Sequence, residues 1–142
     1  MSLITFLLIQ NKENKATEKL KDEFSIEIYD KEKEYELENY KGIIIRGDED
    51  IKNIQNEKLK NLIFSAFRKK KPIITMDCGS VVLAGLGFLV GKCATVNEKC
   101  AGLIHAKGAI VFDEPIVIDK NLITTSFKMP ETELLETIKK TI

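Results

Sequence analysis

The stretch that most constrains the fold is Lys71 to Thr95, KPIITMDCGSVVLAGLGFLVGKCAT. Pro72 to Met76 is a short apolar run, and it breaks off at Asp77-Cys78-Gly79-Ser80. From Val81 to Leu86 the chain is apolar on every side, which describes a buried helix. A strand that passes through so short a turn into a buried helix lifts the central residue of the turn above the sheet and aims it at the helix N-terminus. Cys78 is the residue read at that position, so the segment predicts a nucleophile-elbow turn at Cys78.

The flanking sequence extends this unit into an alternating pattern. Ile4 to Ile9 is a continuous apolar run suited to a strand covered on both faces. Asn11 to Glu23, rich in Lys and Glu with Ala16 and Leu20 four apart, is a short exposed helix. Phe24 to Tyr29 alternates as a strand with one wet face near a sheet edge. Asp30 to Asn39 is a charged connection with a short extended piece at Tyr35 and Leu37, and Ile43 to Ile45 is a central strand ending at Arg46-Gly47-Asp48. Leu59, Leu62, Ile63, Ala66 and Phe67 form one stripe of an amphipathic helix.

Past the elbow, Gly85, Gly87 and Gly91 follow the helix instead of preceding it, so they end and pack it and cradle no phosphate. Lys92 to Val96 is a short strand, and the segment through His105 has no definite shape by pattern. Ala109 to Phe112, Ile116 to Ile118 and Leu122 to Thr125 are β-like, with Asp119-Lys120-Asn121 as a hairpin turn between the last two. Pro130 opens a final helix with Glu131 and Glu133 early and Lys139 and Lys140 late. Alternating strands and helices with buried-type strands imply a three-layer α/β sandwich with a mainly parallel, flavodoxin-like sheet, in a single domain spanning 1–142. Ligands of such sheets lie at the carboxyl ends of the strands, where Asn11, Gly47-Asp48 and Cys78 belong.

Composition narrows the function classes. With 22 basic and 22 acidic residues the formal net charge is zero, which argues against nucleic acid or an anionic membrane as partner. No apolar run approaches the roughly 18 to 20 residues of a membrane span. MSLITFLLIQ lacks the basic leader and cleavage site of a signal peptide, so the expectation is a cytoplasmic protein. Cys78, Cys93 and Cys100 are separated by fourteen and then six residues, which is not zinc spacing. The odd count argues for free thiols, and neither a metal nor a cofactor is expected.

The same residues carry a resemblance to the DJ-1/PfpI family of the class I glutamine amidotransferase-like superfamily. Lys71 to Thr95 is similar to the family's K-P-I strand, its elbow Cys and a buried helix reading L-A-x-x-G-x-L-x-G-x-x-A-T, matched by Leu83, Ala84, Gly87, Leu89, Gly91, Ala94 and Thr95. DKNLITTS, Asp119 to Ser126, resembles the family's D-G-N-L-I-T-S, with Lys120 in place of the glycine. KGIIIRGD stands where the family has a strand ending in P-G-G.

The resemblance implies a site with a nucleophilic Cys78, a carboxylate from the loop after the first strand, and backbone donors at Gly47 and Gly79 with Asp48 and Asp77 nearby. Glu13 is the nearest acidic residue in that loop, and Glu18 is a poor second. The family's His is missing: Gly79 follows Cys78, the later loop reads Val96-Asn97-Glu98, and the single histidine, His105, falls beyond it. The downstream H-x-E of a glutamine amidotransferase is absent as well.

The reading is therefore a cytoplasmic thiol- or redox-responsive protein, weakly active or non-catalytic. The alternative is a Cys-dependent hydrolase or glyoxalase/deglycase acting on a small carbonyl or amide substrate. Cys100 is a candidate to resolve an oxidised Cys78 by disulfide exchange. A small-molecule ligand and a homodimer, through the Phe24 to Tyr29 strand or the Val81 helix, are the expected partners.

Overall fold

A computed structural model of the chain describes residues 5–10, 15–48, 51 and 57–142. Its main sheet has six strands in the order β2-β1-β3-β4-β8-β7. These are β1 Thr5–Gln10, β2 Ser25–Ile28, β3 Gly42–Gly47, β4 Ile73–Asp77, β7 Ile116–Asp119 and β8 Leu122–Thr125. All pairings are parallel except β7 with β8, the antiparallel hairpin turning at Lys120-Asn121. Two further strands, β5 Cys93–Ala94 and β6 Ile110–Val111, form a separate parallel pair.

Strand alternation divides the core into two layers. Ile43, Ile45 and Ile73 face one side, where they pack with α2 Glu57–Arg68, α3 Ser80–Gly85 and α4 Ala101–Ala106. Phe6, Leu8, Ile44, Ile74 and Met76 face the other, against Leu20 of α1 Lys15–Glu23 and Leu134, Leu135 and Ile138 of α5 Glu131–Thr141. Both faces of β1, β3 and β4 are closed, so these strands read as unbroken apolar runs. Each fully buried Ile or Leu contributes about 1.5 to 3 kcal/mol of burial, and that fixes the register.

The expected three-layer, mainly parallel architecture is what the chain adopts. Some elements differ in detail. The connection near Leu37 is a single 3-10 turn, Leu37–Asn39, not an extended piece, because Leu37 tucks into the core while its charged neighbours stay out. The stretch before His105, undefined by pattern, is a 3-10 turn Glu98–Cys100 followed by α4, with Cys100 and Ile104 turned inward. Gly87 follows α3 at φ +88°, a left-handed conformation that ends the helix at low cost only for glycine. Asn11 and Glu13 lie outside the described residues.

Candidate functional site

The carboxyl ends of β3 and β4 lie side by side, with Gly47 paired to Asp77. The turn from β4 into α3 is built by backbone bonds. The Cys78 N–H donates to Gly47 O (3.0 Å), and the Gly79 N–H donates to Met76 O (2.9 Å). Gly79 is needed because β3 passes directly behind it, and a Cβ there would sit 2.1 Å from Ile45 O. Its N–H is spent inside the turn, so it is not a free oxyanion donor.

The sharp, strained position of this turn is Asp77, at φ +57°. An elbow of this kind presents the strained residue, so the apex expected at Cys78 belongs to Asp77, one residue earlier. Cys78 instead points down into the core between β3 and α3 and is fully buried. The physical reason is the one-residue offset: β4 keeps its alternation up to Asp77, and the kink at Asp77 sends the following side chain beneath the turn.

Cys78 is disulfide-bonded to Cys100, 22 residues further on, with Cα atoms 6.1 Å apart. The expectation of free thiols therefore fails for this pair and holds for Cys93, half-buried in β5. Asn97 reinforces the same junction. Its N–H donates to Asp77 O (2.9 Å), and its Nδ2 donates to Asp77 Oδ1 (2.8 Å). Asn97 also caps the 3-10 turn that ends at Cys100, through the Lys99 N–H. The elbow and the Asn97 to Cys100 segment are thus one body, joined by a covalent bond and two hydrogen bonds.

Arg46, the last residue but one of β3, lies on the opposite face of the sheet, beside Gln10 and Met76 in register. It is 6% exposed, and its Nε and Nη1 have no hydrogen-bond partner among the described residues. Burial pulls its pKa below the usual arginine value, and the charges of Asp77, Glu131 and Asp48 oppose that pull. Arg46 is thus a buried cation at this end of the sheet, and sequence reasoning treated it only as the end of a strand. A run of three isoleucines leading directly into an arginine was the available signal, since a central strand buries the next residue along with the run.

Other predicted residues are dispersed. Asp48 is half-buried beyond the end of β3, Glu18 is on the exposed face of α1, and His105 is on the exposed side of α4. At the end of β1, Gln10 accepts a hydrogen bond from the buried Thr17 hydroxyl of α1 (2.7 Å). Behind the elbow the Thr75 and Ser80 hydroxyls bond each other (2.7 Å), and Thr125 donates to Thr75 O (2.9 Å). These buried hydroxyls, unnoticed in the sequence, are satisfied and lock α3 and β8 to β4. No cluster of three metal-ligating side chains occurs among the described residues.

Comparison with known proteins places this geometry. The chain matches the DJ-1/PfpI family over residues 6–139. It is 34% identical over 113 residues to an uncharacterized protein of Methanocaldococcus jannaschii, a match covering 72% of this chain and 54% of that relative. The chain thus spans about half the length of that protein. A ThiJ/PfpI domain protein from Brachyspira murdochii superposes with a TM-score of 0.78 at 11% identity, over 98% of this chain and 96% of that one. Drosophila melanogaster DJ-1beta superposes with a TM-score of 0.75 at 16% identity, over 99% and 90%. At such low identity the superpositions speak for the fold, and the match over 6–139 carries the membership: the chain belongs to the DJ-1/PfpI family.

Proposed function

We propose that the chain is a redox-responsive member of its family in which Cys78 and Cys100 interconvert between dithiol and disulfide. The observation that carries this reading is the pairing of these two cysteines beneath the elbow while Cys93 stays free. Oxidation by a peroxide proceeds in two steps. One thiolate displaces water or alcohol from the peroxide and becomes a sulfenic acid; the other thiol displaces water from it to form the disulfide. In reduction, two small-molecule thiols supply the electrons, leaving two protein thiols and one small-molecule disulfide. Both sulfurs are buried, so exchange proceeds through local opening of the Asn97 to Cys100 segment.

The test is thiol labelling read by intact mass across a graded thiol/disulfide buffer. Labelling of Cys93 alone in the oxidised protein, and of all three cysteines after reduction of the folded protein, is expected. Simultaneous labelling of all three under oxidising conditions removes the reading. A pair that is reduced only when the chain unfolds makes the bond purely structural.

The Cys-dependent hydrolase or glyoxalase/deglycase reading requires a reduced Cys78 with a base at its sulfur. In the structure that sulfur is instead bonded to Cys100. Equal turnover of dicarbonyls by reduced parent and Cys78→Ala protein would close that route.

A further inference from the structure

The amino end of the sheet, opposite the elbow, holds an open groove of about 710 Å³ between the end of α2, the β7–β8 turn and the approach to β5. Three lysines line it, Lys70, Lys92 and Lys120, and no acidic side chain does among the described residues. Elsewhere Lys19, Lys58, Lys69, Lys128 and Lys139 each hold an acidic partner. The three groove lysines have no ion pair among the described residues. The groove also has an apolar side: Phe67 and Ile123 line it, and Ile118 on the edge strand β7 is 51% exposed there. The Lys92 ammonium lies 5.8 Å from the centre of the Phe67 ring, so it is positioned over the groove.

Two of the three lysines occupy backbone positions that disfavour them. Lys70 has φ +58° and Lys120 φ +59°, in the left-handed region where glycine is strain-free. At Lys120 the family segment D-G-N-L-I-T-S has that glycine, and this chain replaces it with a cation. The walls are also fixed. Asn121 Nδ2 donates to Lys71 O (2.8 Å), and Ile73 N–H donates to Asn121 O (2.9 Å), which staples the β7–β8 turn to the start of β4. The neighbouring Asp119 carboxylate is held by the Cys93 N–H (2.8 Å).

We infer that this groove is a binding site for an organic phosphate, a multiply charged head gripped by Lys70, Lys92 and Lys120 with an apolar body against Phe67 and Ile118. The volume falls within the range of small-ligand sites. Three ammonium groups outweigh the single α-carboxylate of Ile142, which also lines the groove, and attract a multiply charged anion more strongly than a singly charged one. The site stands apart from the Cys78–Cys100 pair, at the other end of the strands, and does not depend on it.

Calorimetric titration of the full chain with ATP, hexyl phosphate, pyrophosphate and adenosine tests the site. ATP distinguishes a flat heteroaromatic body from the aliphatic one of hexyl phosphate. The expected result is binding of at least one of these two, more tightly than pyrophosphate, with none by adenosine. Lys92→Gln and Lys120→Gly should each weaken binding by about tenfold, the scale of one lost charge-assisted contact. Lys120→Gly also relieves the left-handed strain, so its melting temperature should hold or rise, and weaker binding in that variant is not a folding defect. Binding of adenosine as tight as that of ATP, no binding of either phosphate at millimolar concentration, or unchanged affinity in Lys120→Gly overturns the site.

Discussion

The two ends of the sheet are built in opposite ways. At the carboxyl end the groups of the turn itself are committed, while Arg46 beside it keeps Nε and Nη1 without a partner among the described residues. Backbone bonds close the elbow, Asn97 holds Asp77, and a disulfide anchors Cys78 to Cys100. At the amino end the backbone is stapled by Asn121 and by the Lys71 ammonium on Tyr40 O, yet the side chains of Lys70, Lys92 and Lys120 carry no ion pair among the described residues. Among the described residues, the turn at the end that a parallel sheet conventionally offers to ligands is thus the committed one. Where the family's elbow presents a thiol, this chain has a strained carboxylate above and a disulfide below.

The tightest test of the closed end is Gly79→Ala. A methyl 2.1 Å from Ile45 O can be accommodated only by moving β3 or the turn, and both are central. We expect a loss of at least about 3 to 4 kcal/mol in denaturant unfolding, or no folded protein. A loss under about 1 kcal/mol would show that the elbow is looser than its contacts imply.

Reduction of the Cys78–Cys100 bond should have the next largest effect. Crosslinking residues 22 apart restricts the unfolded chain by about 3 kcal/mol in the loop-entropy account. Urea unfolding with and without reductant, and of a Cys78→Ala/Cys100→Ala protein in oxidising buffer, should show a difference of that order. Cys93→Ala should change the reductant dependence not at all. An equal response of the Cys93 variant would move the redox chemistry away from the elbow.

The architecture was legible in the sequence because it rests on long-range burial patterns: the apolar runs that form the buried strands β1, β3 and β4, and the stripe on α2. The elbow was legible as a turn but not in its register. Asp77 and Cys78 are adjacent, and only the backbone angle decides which one stands at the apex. The disulfide was hidden for another reason. The segment between Val96 and His105 has no periodicity strong enough to predict the 3-10 turn and α4, and without that path nothing brings Cys100 under the turn. Arg46 and Lys120 were visible as residues, but their meaning depends on burial and on φ, which pattern does not report.

At the open end Lys120→Gly should act in the opposite sense to the substitutions at the elbow. Releasing a non-glycine residue from φ +59° removes a strain of about 1 kcal/mol, offset in part by the greater freedom glycine gives the unfolded chain. The melting temperature should hold or rise by a few degrees, as about 1 kcal/mol does in a domain of this size. A clear fall would mean that Lys120 holds the hairpin together, and the contrast between a strained open end and a committed closed end would fail there.

The smallest effect concerns the phenol below that staple. Tyr40, just before β3, donates its hydroxyl to Glu27 Oε2 (2.7 Å). Burial first, then the hydrogen bond to Glu27 and its charge, hold the Tyr40 pKa well above the ordinary phenol value. The folded state therefore keeps a proton that the unfolded chain gives up above about pH 10. The stabilisation from this phenol is complete below that pH and is lost as pH rises through the folded pKa. Tyr40→Phe should cost about 1 kcal/mol at neutral pH, the net worth of one hydrogen bond, and should flatten the decline in stability above pH 10. Parallel curves for parent and variant through that alkaline range would show that the amino end is not held by this hydrogen bond, leaving the Asn121 and Lys71 contacts to carry it.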